Sequence, residues 1–227
     1  MNVIGEIKIM NIPVIIIFIL SISFVFSSAT AQKDFFVGGV FFNPNGLEIK
    51  GDKYVLWPSS TGTIWGAGGL SGGINVKRNI SRDTYMSLEL RYIQKGSIYE
   101  YVNSNFMLAS EVLRLNYMEI PLQAGISTKA GKTKFYLETG PGIGKMFSSD
   151  LKINQMSNLS THPDISRFKS MDISWIGSLK FHLNPRRSDN LLLGVRYSFS
   201  IFSIHKSYKL YNNVYGIQLE YLFKQVF

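Results

Sequence analysis

Residues 117–126 alternate between polar and apolar side chains with a period of two, and this pattern restricts what the chain can fold into. They read Tyr-Met-Glu-Ile-Pro-Leu-Gln-Ala-Gly-Ile. Because successive side chains of a β-strand point to opposite faces, one face is entirely apolar and the other carries Glu119 and Gly125. A strand with two such faces lies between two different environments, and the fold depends on which face is inside.

The same alternation recurs along the chain, and long and short connections alternate between the patterned segments. A tilted strand crosses a bilayer with about 9–11 residues, and most of the segments reach that length. Long loops at one rim and tight turns at the other are typical of outer-membrane barrels. The sequence therefore predicts an all-β fold, an eight-stranded antiparallel up-and-down transmembrane β-barrel. The predicted strands cover residues 35–42, 63–75, 84–95, 113–126, 134–144, 172–183, 191–201 and 213–227. The predicted long loops are residues 43–62, 96–110, 145–170 and the segment around His205.

The polar face of these strands is expected to point inward, because many of its residues are small. Gly140, Gly142 and Gly144 share one face of a single predicted strand. A narrow eight-stranded interior holds small side chains well. A cation on the apolar face would cost about 2–4 kcal/mol at the bilayer centre, and that face is almost free of charge. A soluble periplasmic lipocalin-like binder, with its apolar side chains inside, is the alternative.

Single charges interrupt the polar face and are expected to form a buried network in the lumen. Isolated charges are expensive in a narrow interior, so they should pair. The pairs Arg91–Glu119 and Arg196–Glu220 lie on adjacent predicted strands. Such a network would plug the barrel, and a proton or ion path is the alternative. The predicted network comprises Glu89, Arg91, Glu119, Glu138, Lys180, Arg196 and Glu220.

Pro121 and Pro141 lie inside two neighbouring predicted strands. Each proline removes a hydrogen-bond donor from a strand that has no free edge in a closed barrel. We therefore expect a local bulge or a break in the ladder where the two prolines come to similar heights.

The N-terminus predicts export. Residues 12–26 are apolar but short for a membrane span, and small residues follow at Ala29 and Ala31. This pattern predicts a signal peptide over residues 1–31 and a mature barrel over residues 32–227, with an uncleaved anchor helix as the alternative. The chain has no cysteine, so it offers no disulfide or thiolate metal site.

The net charge is +9, and much of it falls in the short turns. An exported protein rarely meets nucleic acid, so we expect no nucleic-acid partner. Basic turns at the periplasmic rim favour anchoring to anionic headgroups of outer-membrane lipid, with an acidic periplasmic protein as the alternative. These basic residues are Lys77, Arg78, Arg82, Lys129, Lys132, Lys134, Arg186 and Arg187.

No catalytic residue, cofactor site or metal site is predicted. Gly69-Leu-Ser-Gly-Gly73 has the spacing of a nucleophile elbow, but it lies within a predicted strand rather than at a strand-to-helix turn. The three histidines show no metal-ligand spacing. His205 and Ser207 suggest an alternative, a lipid A-modifying barrel enzyme, although no acidic residue nearby would orient the histidine.

Two motifs carry a family resemblance, Tyr117-Met-Glu-Ile-Pro-Leu122 and Phe135-Tyr-Leu-Glu-Thr-Gly-Pro-Gly142. They resemble the outer-membrane β-barrel domain family of Bacteroidota, the PorT-like group, over essentially the whole mature chain. The resemblance implies an outer-membrane barrel, and one branch of the family implies a part in protein secretion. We expect a non-enzymatic protein with a structural or an interaction role. The aromatic C-terminus, residues 221–227, looks like the signal read by the barrel insertion machinery. The expected partners are therefore outer-membrane lipid, that machinery and a periplasmic or secretion-system protein, met through extracellular loops and the periplasmic rim.

Overall fold

The computed structural model describes residues 36–52, 63–102, 108–131, 133–154, 165–184 and 188–223. The predicted signal peptide and the last four residues of the aromatic C-terminus lie outside these ranges, so both remain predictions. Among the described residues, no helix is long and apolar enough to cross a bilayer.

Antiparallel β-strands make up nearly all of the described chain. The short strand β2 and the strand β3 are separated only by Gly66, and both pair with β4, so they act as one barrel strand. Within the described residues, the 3-10 turn Ile165–Arg167 precedes β7. The strands are β1 Phe36–Gly51, β2 Thr63–Trp65, β3 Ala67–Asn79, β4 Thr84–Val102, β5 Leu108–Ala130, β6 Thr133–Asn154, β7 Met171–Asn184, β8 Ser188–Ser200 and β9 Leu210–Leu222.

When β2 and β3 are counted as one strand, each strand pairs with its neighbours in the sequence, and β1 also pairs with β9. This last pairing closes the sheet into an eight-stranded barrel, which confirms the predicted fold class. The connections after β1, β4, β6 and β8 form what we call the long-loop end. The tight connections after β3, β5 and β7 form the short-turn end.

The strands reach further toward the long-loop end than the sequence predicted. Much of the predicted loops 43–62, 96–110 and 145–170 is strand, because β1, β4, β5 and β6 continue into them. The turn-forming residues of β1 misled the prediction. Asn45 instead points into the lumen, where its Nδ2 donates to Ser71 Oγ at 2.9 Å.

Polar and apolar side chains alternate between the inside and the outside of the barrel as predicted. Lipid-facing positions such as Val195 and Ile217 are 57% and 55% exposed, whereas Glu89 and Arg91 are buried in the lumen. The lipocalin-like alternative requires the opposite arrangement and is therefore wrong.

The ladder between β5 and β6 breaks at the two prolines. Pro121 pairs with Gly142 and Ala124 pairs with Thr139, while the two rungs between them are not paired. The register is the same on both sides of the gap. The predicted break is therefore confirmed, and Pro141 is accommodated without a bulge.

A bulge does occur in the same hairpin, closer to the long-loop end. Asn116 pairs with Ser148 and Tyr117 pairs with Met146, so Phe147 is an extra residue on β6. Its side chain is 58% exposed on the outer wall. A bulge bends its strand and re-aims the side chains beside it.

The polarity of the two faces is inverted beyond this bulge. Glu119 points into the lumen below it, whereas Leu113 and Leu115 are the inward residues of β5 above it, and both are fully buried. On the outside, the apolar Phe42 of β1 gives way to Glu48 and Lys50. The apolar outer wall therefore ends near the bulge, and the strands above it carry a mostly apolar interior, in which Glu111 is also buried, and a polar exterior.

This apolar interior forms the hydrophobic core of the protein and lies at the long-loop end. The segments before β7 and after β8 complete it, and an isolated bridge pairs Phe168 with His205. We call this cluster the apolar cap. It consists of Leu47, Ile49, Ala67, Ile93, Tyr99, Leu113, Leu115, Tyr117, Phe168, Ile204, Leu210 and Val214.

Candidate functional site: the lumen charge network and its apolar cap

A ring of four charged side chains fills the lumen nearest the short-turn end. Lys77 Nζ lies 2.9 Å from Glu138 and 2.8 Å from Glu220. Lys180 Nζ lies 2.5 Å from Glu138 and 2.7 Å from Glu220. Because each lysine bridges both carboxylates, the four charges alternate in a closed ring. We call it the lower ring.

Neutral donors complete the hydrogen bonding of the lower ring. Tyr85 Oη donates to Glu138 at 2.9 Å, and Asn75 Nδ2 donates to Glu220 at 2.7 Å. Ser178 Oγ also donates to Glu138, at 3.2 Å. Buried carboxylates need these hydrogen bonds, because a buried ion whose hydrogen-bonding capacity is not filled destabilises the fold.

The middle of the lumen is crossed by an ion pair between opposite walls. Arg196 Nη1 and Nη2 lie 3.2 and 2.6 Å from the two carboxylate oxygens of Glu89. This two-bond geometry is the strong form of an arginine–carboxylate pair. Arg196 also donates to Gln123 at 3.3 Å and to Gln218 at 3.4 Å.

The predicted pair Arg196–Glu220 is wrong. Arg196 lies opposite Gly216, whereas Glu220 lies opposite Leu192, four residues away along β8. The two side chains are therefore at different heights in the lumen, and each finds partners at its own level.

A third group of charges lies directly beneath the apolar cap. Arg91 contacts Glu119 through Nε, at 2.6 Å, and through Nη2, so the predicted pair Arg91–Glu119 is present. Lys95 Nζ bridges Glu119 at 3.2 Å and Asp172 at 2.8 Å. Ser174 Oγ donates to Glu119 at 2.5 Å. We call this group the upper cluster.

All seven residues predicted for the lumen network are buried in the lumen. Three further members were not predicted: Lys77, Lys95 and Asp172. The sequence places Lys77 in a predicted turn and Lys95 at the end of a predicted strand. Each of them nevertheless lies an even number of residues from the inward-facing side chains of its strand. Together the ion pairs join five cations and five anions, so the network is neutral.

His205 lies in the apolar cap region. Its ring is buried between Phe168, with centroids 5.3 Å apart, and Tyr208, with centroids 5.0 Å apart. Its Nδ1 accepts hydrogen bonds from the backbone N–H groups of Ser207 and Tyr208, both at 3.2 Å. The Ser207 side chain itself is exposed.

The basic residues predicted at the short-turn rim do not all lie there. Lys77 points into the lumen, which corrects its assignment to the rim. Arg82, Lys129 and Lys134 line an open cleft of about 630 Å³ together with Asp83. Arg78 is buried. Lys132, Arg186 and Arg187 lie outside the described residues.

The elbow-like motif and the potential metal ligands are the remaining candidate sites from the sequence. Ser71, the central residue of Gly69-Leu-Ser-Gly-Gly73, is buried within β3 and hydrogen-bonded to Asn45. In the described part of the chain, no group of three or more potential metal ligands comes together.

Comparisons with known proteins agree with this architecture. The family model described as outer membrane protein beta-barrel domain matches residues 31–206. No curated protein matches the sequence.

Several solved structures are similar to the barrel at low sequence identity. Neisserial surface protein A is 11% identical, with a TM-score of 0.45, over 85% of this chain and 100% of that protein. Ail, the attachment invasion locus protein of Yersinia pestis, is 11% identical, with a TM-score of 0.41, over 85% and 100%. OprG of Pseudomonas aeruginosa is 15% identical, with a TM-score of 0.40, over 84% and 95%.

Proposed function

The chain belongs to the outer membrane protein beta-barrel domain family, and on that premise we propose that it is a plugged, non-enzymatic barrel that acts through its surfaces. The observation that carries the proposal is the filled lumen. The lower ring, the Arg196–Glu89 pair and the upper cluster occupy successive levels, and the apolar cap covers them.

A plug of this kind opposes conduction for two reasons. Its charges are already neutralised by one another, so an ion entering the lumen would have to displace a buried partner. Above the upper cluster, an ion would also meet fully buried aliphatic side chains such as Leu113 and Leu115, which offer it no polar contacts.

The conductance of the mature protein in planar bilayers tests the plug. We expect no stable single-channel steps from the wild type. The double substitution Glu89→Ala with Arg196→Ala shortens both side chains that cross the lumen and serves as the matched leak control. Stable, voltage-tolerant conductance of the wild-type barrel would overturn the proposal.

The surroundings of His205 support the non-enzymatic part of the proposal. A general base must reach the hydroxyl that it activates. Here Nδ1 is occupied by two backbone N–H groups, and one of them belongs to Ser207 itself. We expect the lipid A mass profile of cells to be the same with wild-type protein and with Ser207→Ala. A changed profile in that variant would favour the lipid A-modifying alternative.

The strand extensions beyond the apolar wall supply a surface for a protein partner. The β5–β6 hairpin presents Arg114, Asp150 and Lys152 outward, at rungs above the bulge. Photo-crosslinking residues introduced in place of Lys152 and of the lipid-facing Ile217 form a matched pair. Discrete protein adducts are expected from the first position and not from the second. Equal labelling of both positions would contradict an interaction through the extensions.

A role as a secretion-machinery component of the Bacteroidota, PorT-like type rests on one branch of the family that the Tyr117-x-Glu119-x-Pro121 and Gly140-Pro141 motifs resemble. These motifs form part of the barrel wall and of the upper cluster. They therefore support the secretion role through a shared way of building the barrel and not through a reactive or binding group. Deletion of the gene should lower the amount of secreted cargo while inner-membrane export continues. An unchanged secretome would exclude this branch and leave the plugged-barrel proposal intact.

A further inference from the structure

Two lysines lie diagonally on the outer wall, between β6 and β7. Lys145 pairs with Met171. Beyond that pair, Met146 N donates to Ser170 O at 2.7 Å, which extends the pairing by one residue. Continuing this register by one more residue would place Lys169 diagonally across from Lys145. Both lysine side chains are exposed. Diagonal neighbours of this kind are about 7–8 Å apart, so two long side chains can converge on one group.

The surroundings place this lysine pair at the upper edge of the apolar wall. Met118, Met171 and Phe147 are 41%, 40% and 58% exposed around it. At the next level, Tyr92 Oη donates to Asn116 at 2.9 Å, and a polar exterior begins. The pair is therefore at the level of the lipid headgroups, on the side of the long-loop end.

Neither ammonium group has a carboxylate or a hydrogen-bond partner within the ranges that the structure describes. The lysines of the lumen show the opposite behaviour, since every member of the network is paired. A third cation, Lys206, lies on the adjoining segment, where its backbone N–H donates to Arg167 O at 3.0 Å and its ammonium group donates to Ser166 O at 2.8 Å. The outer wall thus presents concentrated positive charge directly above exposed apolar side chains.

We propose that Lys145 and Lys169 bind the phosphate of a phosphorylated glycolipid in the outer leaflet. The two ammonium groups would hold the phosphate, and acyl chains would lie along Met118 and Met171. A lipid is favoured over an acidic soluble protein because the pair is flanked by side chains that face hydrocarbon. With short turns on the periplasmic side, as in barrels of this kind, the long-loop end faces outward.

This inference goes beyond the plugged-barrel proposal, and the two can fail separately. The lysine pair lies outside the barrel, so its substitution leaves the lumen unchanged. Conductance recordings on the same variants should match the wild type, whatever the lipid measurement gives.

Lipid retention by the purified full-length mature protein is the test. The protein is reconstituted in nanodiscs of zwitterionic phospholipid that contain a small fraction of lipid A, dephosphorylated lipid A or phosphatidylglycerol. Bound lipid is counted by native mass spectrometry. The variants are Lys145→Gln, Lys169→Gln, their double, the double arginine variant, and Lys152→Gln as the control. Lys152 lies on the same strand, exposed and above the apolar wall.

A lysine near an anionic surface contributes about 1 kcal/mol, which is about fivefold in affinity. We expect lipid A retention to fall about fivefold in each single variant and about 25-fold in the double. It should persist in the double arginine variant and in Lys152→Gln. Unchanged retention in the double glutamine variant, or an equal loss in the Lys152 control, would overturn the proposal. Equal binding of dephosphorylated lipid A would exclude the phosphate, and equal binding of phosphatidylglycerol would exclude the glycolipid. Gel migration of boiled and unboiled samples verifies that each variant is folded.

Discussion

Arg196 on β8 reaches across the lumen to Glu89 on β4, with Nη2 2.6 Å from Oε2. These two strands are not neighbours in the sheet. The pair therefore joins opposite walls of the barrel, which backbone hydrogen bonds between adjacent strands cannot do. It also lies between the lower ring and the upper cluster, so its loss would separate the two remaining charged levels.

Removal of one partner of this pair should destabilise the barrel strongly. Glu89→Gln leaves Arg196 buried without its carboxylate, and an uncompensated buried charge costs about 3–5 kcal/mol. The free energy of unfolding in lipid vesicles, measured by urea titration and tryptophan fluorescence, checks this. The double substitution Glu89→Gln with Arg196→Met removes both charges and should cost much less than the single one. Equal losses in the single and double variants would mean that the charge pairing does not matter.

β5 and β6 approach each other so closely at the proline break that position 140 requires a glycine. A Cβ atom on Gly140 would lie 2.1 Å from the backbone oxygen of Leu122, whereas one on the outward-facing Gly177 would meet nothing within 4 Å. Overpacking costs about 1–3 kcal/mol, and backbone atoms move less readily than side chains. Gly140→Ala should therefore lower the unfolding free energy by at least that amount, with Gly177→Ala nearly neutral. Similar values for both variants in the same vesicle assay would contradict the close approach of β5 and β6 at Gly140.

The segment that closes the long-loop end depends on His205. His205→Ala removes an acceptor of two backbone N–H groups and a ring stacked on Tyr208, so residues 201–209 should open. Hydrogen exchange of the backbone amides in this segment should become at least about fivefold faster, since the two lost hydrogen bonds contribute about 0.5–1.5 kcal/mol each. Ser207→Ala, whose side chain is exposed, is the matched control. Unchanged exchange in His205→Ala would show that the cap is held by its apolar contacts alone.

The sequence predicted the barrel well because its main determinant is local. A period of two assigns Glu119 and Met118 to opposite faces without knowledge of any other strand. The partners of the inward charges are not local. Glu89 meets Arg196 because strand tilt and stagger bring those heights together across the lumen, and no alternation encodes that stagger.

The strand extensions escaped prediction for a related reason. Leu113 and Leu115 lie in the predicted strand and share the parity of Glu119, but they are apolar on a face that is otherwise polar, and the pattern gave no sign that β5 continues beyond them. The rule that a face keeps one polarity fails where the strand leaves the bilayer, because the outside solvent then changes from hydrocarbon to water. The inversion of polarity along one parity is itself the signal that locates this boundary, and it could be read from the sequence once the parity was known.

The position of the bilayer boundary can be measured by introducing an arginine at three heights on the outer wall and recording the loss in unfolding free energy. At the bilayer midplane an arginine costs about 2–4 kcal/mol, and near the interface about 0–1 kcal/mol. Ile217→Arg, within the apolar wall, should therefore lower the unfolding free energy in vesicles by about 2–4 kcal/mol. Phe147→Arg, at the bulge, should cost about 0–1 kcal/mol beyond the loss of its ring contact with Tyr92. Lys152→Arg should be neutral, because the structure places that side chain above the wall.

A Phe147→Arg cost equal to that of Ile217→Arg would move the bilayer edge above the bulge. The lysine pair at Lys145 and Lys169 would then lie in hydrocarbon rather than among headgroups.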